Sequence, residues 1–237
     1  LRVPFLVYAV MLLAAVAVVR WLLPATGTGA PQARDTSPPM RLGEALRDSA
    51  FRVALISGFA NGWSNFGVRV ALLPLFAAAA LDAGPWAAGA ALAVFAGGNA
   101  LALTFFGGLA DVRGRKPMIM IGLAVNGAFT VVLGMSGNIW IVMALSAMAG
   151  IGAGMLNPAQ QATVADIVGN KRSGGKVLAG FQMSQDAGAI IGPVVAGAIA
   201  DRLGFAAAFA VSGAMTLLAC VAWFFARETL HREGGST

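Results

Sequence analysis

Polar and charged residues are gathered into short connections, and between them the chain runs apolar in blocks. A bilayer core about 30 Å thick takes roughly 20 apolar residues of α-helix. Seven blocks meet that requirement, at 3–23, 51–81, 86–109, 117–136, 139–159, 177–200 and 205–226. They predict an all-α integral membrane protein with seven transmembrane helices. Barrel strands alternate apolar and polar residues, and these blocks do not. The second block is long and contains Pro74, so a kinked or tilted span is expected there.

Composition narrows the class. Of 237 residues, 58% are hydrophobic and 11% charged, with a mean hydropathy of +0.79. A soluble domain carries about 25% charged residues, so a water-facing globule is excluded, and disorder fails on the same count. Cys220 and His231 are the single cysteine and histidine. They exclude a disulfide framework, a cysteine-based metal cluster and, in practice, a histidine site.

Residues 24–48 separate the first block from the rest. The Pro/Gly/Ser/Thr-rich stretch 24–39 reads as a flexible linker. Residues 41–48 predict a short surface helix, with Arg41 and Arg47 among headgroups and Leu42, Ala45 and Leu46 facing lipid. The chain is therefore divided into a lone helix (1–23), a linker (24–48), a six-helix bundle (49–226) and a tail (227–237).

The net charge of +6 raises nucleic acid as a partner, and its placement dismisses it. Arg20, Arg34, Arg41, Arg47 and Arg52 flank the first connection; Arg113, Arg115 and Lys116 follow the third block. Lys171, Arg172 and Lys176 follow the fifth, and Arg227 and Arg232 the last. Only Arg2 and Arg202 mark the opposite side. Thirteen against two predicts a cytoplasmic linker and C-terminus with the N-terminus outside. The first span begins almost at residue 1 with no signal-peptide n-region. An odd span count behind a cytoplasmic linker then predicts a missing N-terminal part, with processing or alternative initiation as the other explanation.

Two strings carry candidate chemistry. GGLADVRGRKP (107–117) joins two spans in a very short turn. Gly107, Gly108 and Gly114 permit close helix approach and unusual backbone angles. Asp111 is placed to accept from a helix N-terminus, and Arg113, Arg115 and Lys116 to meet carboxylates or lipid phosphates. In the second string, Gly188, Gly192 and Ala196 line one helix face, with Gly197 beside them, for close packing in lipid. Pro193 bends that span.

GxxxDxxGRK between two helices resembles the signature of the major facilitator superfamily, a twelve-helix class of secondary transporters. Gly107, Asp111, Gly114, Arg115 and Lys116 match it, while Val112 stands where a basic residue is frequent. GAIIGPVVAG (188–197) resembles the GxxxGPxxGG pattern of the drug–proton antiporters of that superfamily, with Ala196 in place of a glycine. GFAAAF before the last span and RET after it also fit. GLADVRG (108–114) and AIADRLG (198–204) echo one another on opposite membrane sides, as inverted repeats do. The resemblance implies that the chain corresponds to family helices six to twelve, a lone helix plus a half-bundle. Its implied partners are the bilayer, a small-molecule substrate, and either the missing N-terminal half or a second copy. No cofactor is implied; a proton gradient is the driving force.

Polar groups inside spans are costly and mark pathways. Asn61, Asn65 and Arg69 are spaced by four and share a helix face. Arg69 is either snorkelling at the outer interface or a cavity-facing cation that meets substrate or a carboxylate. Gln182, Gln185 and Asp186 form a second polar face continued by Ala189. Asp186, near midplane, is either an interhelical contact or an acid that takes up and releases a proton, with Arg69 as its available cation. Asn99 and Asn126 read as interhelical glue. Asn157, Gln160, Gln161 and Asp166 are candidates to meet the Arg113–Lys116 cluster as an inner gate. No nucleophile elbow, phosphate loop or metal-ligand cluster is present, so an enzyme is not expected. The expected function is secondary transport of a small organic solute by proton-coupled efflux. The alternatives are a non-transporting scaffold or homodimeric half-transporter and, third, a membrane-embedded hydrolase.

Overall fold

The computed structural model describes residues 3–22, 38–79, 81, 83–169 and 173–230. Among them every regular element is helical. Two compact units are present, Leu1–Ser37 and Pro38–Thr237. The first contains α1 (Val3–Leu22), whose described side chains from Tyr8 to Trp21 are all exposed.

The second unit opens with α2 (Leu42–Ala45). Residues 38–48, part of the expected linker, fall within this second unit. Ala45 is fully buried rather than lipid-facing, and the Met40 amide donates to the Ser173 carbonyl at 3.0 Å. α3 (Ser49–Asn61), a π-helical segment (Gly62–Val68) and α4 (Arg69–Ala79) form one continuous rod. Asp48 starts it by accepting from the Ala50 amide at 2.9 Å, an N-cap. The expected irregularity is present, but as a widened π turn ahead of Pro74, which itself sits within α4. π turns are rare and recur at functional sites.

α5 (Pro85–Phe106), α6 (Leu109–Arg113), α7 (Arg115–Leu133), α8 (Ile139–Val168) and α9 (Gly175–Trp223) complete the bundle. α9 consists of two rods joined at Gly204, whose φ of +86° interrupts the helix. Only glycine takes that conformation freely. Four helices among the described residues, namely α7, α8, α9 and most of α5, are long and apolar enough to cross a membrane, against the seven spans expected. The count differs because the 49–79 rod is divided by its π turn, α9 runs through Gly204 as one 49-residue element, and α1 counts only as a shorter apolar helix, Tyr8–Trp21.

Packing is set by small residues. α7 meets α8 through Gly122 and Gly152, α5 meets α8 through Gly98 and Gly150, and α7 meets the second rod of α9 through Gly127 and Gly213. Two apolar clusters result. One contains Phe51, Leu123, Leu156, Phe181 and Trp223; the other contains Leu72, Phe76, Leu133, Val142 and Phe209. Buried polar side chains interrupt this apolar interior, Asn61, Asn65, Arg69 and Asn126 among them.

Candidate functional site

Four amides form a hydrogen-bonded row. Asn61 donates from Nδ2 to Asn157 Oδ1 at 2.9 Å, and Asn65 donates to Asn61 Oδ1 at 2.7 Å. Asn126 donates to Asn65 Oδ1 at 3.0 Å and to the Ala149 carbonyl at 2.8 Å. Asn126 is thus the interhelical glue expected. One helical turn beyond Asn65, Arg69 donates from Nη2 to Thr130 Oγ1 at 2.8 Å. Its guanidinium lies 4.4 Å from the centre of the Phe95 ring.

Arg69 is 1% exposed, so it is not snorkelling. It points into the bundle rather than toward Asp186, and Nε and Nη1 find no hydrogen-bond partner. Packing opposed the expected Arg69–Asp186 pair: the π turn places Arg69 against α5 and α7. Thr130 and Phe95 were not legible as its partners, since neither is unusual in a span. Below the row, Gln160 donates to Ser57 Oγ at 2.7 Å, which also accepts from Trp223 Nε1 at 3.0 Å. Asn157 and Gln160 therefore serve the interior and not the loop cluster.

Gln182, Gln185, Asp186 and Ala189 do come together, with Phe66 of the π segment, around a recess of about 280 Å³. Asp186 is exposed and accepts from Gln182 Nε2 at 3.0 Å. Gln185 is buried where α9 crosses the π segment closely enough that a Cβ on Gly62 would overlap its carbonyl. Gly188 and Gly192 pack against Phe59 and Trp63, and Pro193 lies beside Gly67, whereas Gly197 has open space around it and takes no part.

The short-turn motif builds a clamp at one end of the bundle. Gly114 has a φ of +112°, the unusual backbone angle the turn requires, whereas Gly107 caps α5 with ordinary helical angles. Arg115 pairs with Asp111 and donates from Nε to Asp166 at 3.1 Å, as expected of Asp166. Asp111 does not cap α7. Glu228 does, accepting from the Arg115 and Lys116 amides at 3.0 and 3.1 Å. An acid beyond the last span, in RET, was the available signal. Lys116 reaches the opposite way, donating from Nζ to the Phe224 and Ala226 carbonyls at 3.1 and 2.7 Å. Each ionised side chain thus sits at the helix end whose dipole suits it. Arg113 is exposed. Arg227 pairs with Asp48. Partial burial pushes the Asp48 carboxyl up, but hydrogen bonds from Arg227 and the Ala50 amide outweigh it and hold it below the usual value.

Among the described residues no group of three or more His, Cys, Asp or Glu is placed to hold a metal. What remains is a glycine-packed helical bundle with a buried polar row and a charge clamp at one end. Residues 54–236 match one protein family. The chain belongs to the Major Facilitator Superfamily. The family consists of multi-pass membrane transporters and not enzymes, in agreement with the signature at 107–117. The Multidrug resistance protein MdtG of Yersinia enterocolitica is 36% identical over 132 residues, 55% of this chain and 31% of that protein. MdtG of Serratia proteamaculans is 36% identical over 122 residues, 52% of this chain and 29% of that protein. The chain therefore spans about a third of the length of these relatives. Two solved structures share the fold. The peptide transporter POT in complex with sulfate has a TM-score of 0.68 at 20% identity, over 82% of this chain and 40% of that one. Tetrameric PepTSo2 has a TM-score of 0.65 at 15% identity, over 75% and 40%.

Proposed function

We propose that this superfamily member is one half of a secondary transporter that exports small organic molecules in exchange for protons. It would work with a second six-helix bundle, either an N-terminal half or another copy. The buried row carries this reading. Asn61, Asn65, Asn126 and Arg69 are kept inside an apolar bundle, where such groups are expensive and mark pathways and gates. The name of the MdtG relatives supports drug-like substrates. Their greater length supports a second bundle rocking against this one about a shared midplane site.

In this reading the lone helix and six bundle rods give seven spans, with the 49–79 rod and the two rods of α9 each crossing once. Asp186 is the acid that carries the proton, and the Asp111–Arg115–Asp166 clamp with Lys116 and Glu228 is the inner gate. Expression of the longest reading frame that contains this chain, in cells stripped of their own exporters, should lower accumulation of hydrophobic drugs. A protonophore should cancel the effect. Unchanged accumulation would remove the reading.

The charge asymmetry supports a cytoplasmic clamp. Ser173, exposed beside α9, offers a probe. In a Cys220→Ala background, Ser173→Cys should react with a membrane-impermeant maleimide only after the cells are opened. Labelling of intact cells would reverse the orientation.

A further inference from the structure

We propose that the groove between α3 and the two rods of α9 seats an acyl chain of an anionic phospholipid whose phosphate meets Arg52. The proposal goes beyond the transport reading and rests only on residence in a bilayer. The groove has a volume of about 370 Å³ and is lined by Leu55, Ile56 and Phe59 of α3, Ser184 of the first rod, and Met215 and Leu218 of the second. Its single hydroxyl is already engaged, because Ser184 Oγ donates to the Leu55 carbonyl at 2.8 Å. The wall therefore offers hydrocarbon and no free polar side chain. A polar solute would lose its hydration there without compensation, whereas an acyl chain has none to lose. Ile56 and Leu218 are 51% and 69% exposed, so the groove is open along its length to the bilayer.

Charge lies at one mouth of the groove. Arg52 is exposed and stands four residues before Ile56 on α3, on the same helix face. Its guanidinium enters none of the ion pairs among the described residues, which join Arg115 to Asp111 and Asp166, and Arg227 to Asp48. Asp48, the carboxylate one turn before Arg52, is therefore already taken. Further cations rim the same mouth. Gly180 lies one turn before Ser184 on α9, and a Cβ there would meet the Leu42 side chain of α2 at 2.8 Å. α2 thus sits over the end of the groove, and Arg41 and Arg47 on either side of it are exposed. Arg41, Arg47, Arg52 and Arg227 stand against Glu44 and Asp48, which leaves two positive charges at this mouth. An Arg at the start of a span lays its stem along the apolar surface and carries its head to the phosphate layer. Basic clusters beside a membrane helix recruit anionic lipid head groups. Charge without an apolar seat would attract any anion, and a seat without charge would take any lipid. Together they select an anion that carries an acyl chain.

The test measures which lipids the purified full chain retains, by native mass spectrometry from detergent containing equal amounts of phosphatidylglycerol and phosphatidylcholine. Phosphatidylglycerol should be retained preferentially. Arg52→Gln should cut that retention about fivefold, the factor that corresponds to the roughly 1 kcal/mol an Arg contributes near an anionic surface. Arg113→Gln, which removes another exposed cation from the clamp end, should change it little. Leu218→Trp, which fills the groove from its exposed side, should lower retention of both lipids without changing the unfolding temperature in lipid-free detergent. Glycerol 3-phosphate should not displace the bound lipid; displacement would leave a bare anion site and overturn the acyl seat. Absence of a preference for phosphatidylglycerol, or equal loss with Arg52→Gln and Arg113→Gln, overturns the proposal. So does a lipid-free dimer that Leu218→Trp dissociates, which would give the groove to a second copy. Selective retention by a chain that supports no drug export would remove the transport reading and leave the lipid site standing.

Discussion

Gly62→Ala and Gly188→Ala are each expected to leave little folded bundle, whereas Gly197→Ala should unfold at the temperature of the parent chain. A Cβ on Gly62 would lie 1.8 Å from the Gln185 carbonyl oxygen, and one on Gly188 would lie 2.1 Å from that of Phe59. Both obstacles are backbone, so no side-chain rotation relieves them, and the 49–79 rod must move away from α9. Separation would pull Asn61 and Asn65 out of register with Asn157 and Asn126, leaving amides without partners in an apolar interior. Overpacking alone typically costs about 1–3 kcal/mol, and an unsatisfied buried polar group adds about 1–3 kcal/mol. Gly197 belongs to the same glycine-rich string but has nothing within 4 Å of its Cβ position. Size-exclusion profiles and thermal unfolding in detergent would decide. Equal behaviour of the three variants would mean that α9 does not pack where the structure places it.

Arg69→Met should give a bundle at least as stable as the parent and should abolish the export activity proposed above. The guanidinium is buried with one hydrogen bond, one aromatic face and no carboxylate. Removing an ion from water costs several kcal/mol, and replacing buried ions by apolar residues of similar volume is often neutral or stabilising by about 1–4 kcal/mol. A ring contributes about 2 kcal/mol to a desolvated cation, which falls short of the desolvation cost. A side chain kept at that expense has a role beyond cohesion, and Thr130 can satisfy its hydroxyl within its own helix once Arg69 is gone. Unfolding temperature and vesicle transport, measured on the same preparation, separate the two roles. A large fall in unfolding temperature would make Arg69 structural cement.

Much of this arrangement was legible residue by residue. Asn61, Asn65 and Arg69 do lie on one face because their spacing follows the helical repeat. Gln182, Gln185 and Asp186 do share a recess. Arg115 and Asp166 do meet, since a short turn rich in cations needs an acid nearby. Glu228 caps α7 from beyond the last span. Asp111, which the turn places to accept from a helix N-terminus, instead pairs with Arg115 one turn away. A cap depends on which helix ends lie side by side, and residues more than a hundred positions apart give no local sign of that.

By itself the sequence determined that the chain lives in a membrane as helices, where its cations lie, which segments are glycine-packed, and which superfamily its turn motif belongs to. Each of these follows from composition or from a short-range period, because bilayer thickness and helical pitch act on contiguous residues. Only the tertiary structure decided that Arg69 faces Thr130 and Phe95 and not Asp186, that Gly188 is packed while Gly197 is free, and that residues 38–48 fall within the second unit. Those outcomes depend on the rotation and offset of one rod against another. Both are set jointly by backbone contacts at Gly62, Gly67 and Gly188 and by the widened π turn, so they belong to the pair of helices and to neither sequence segment alone.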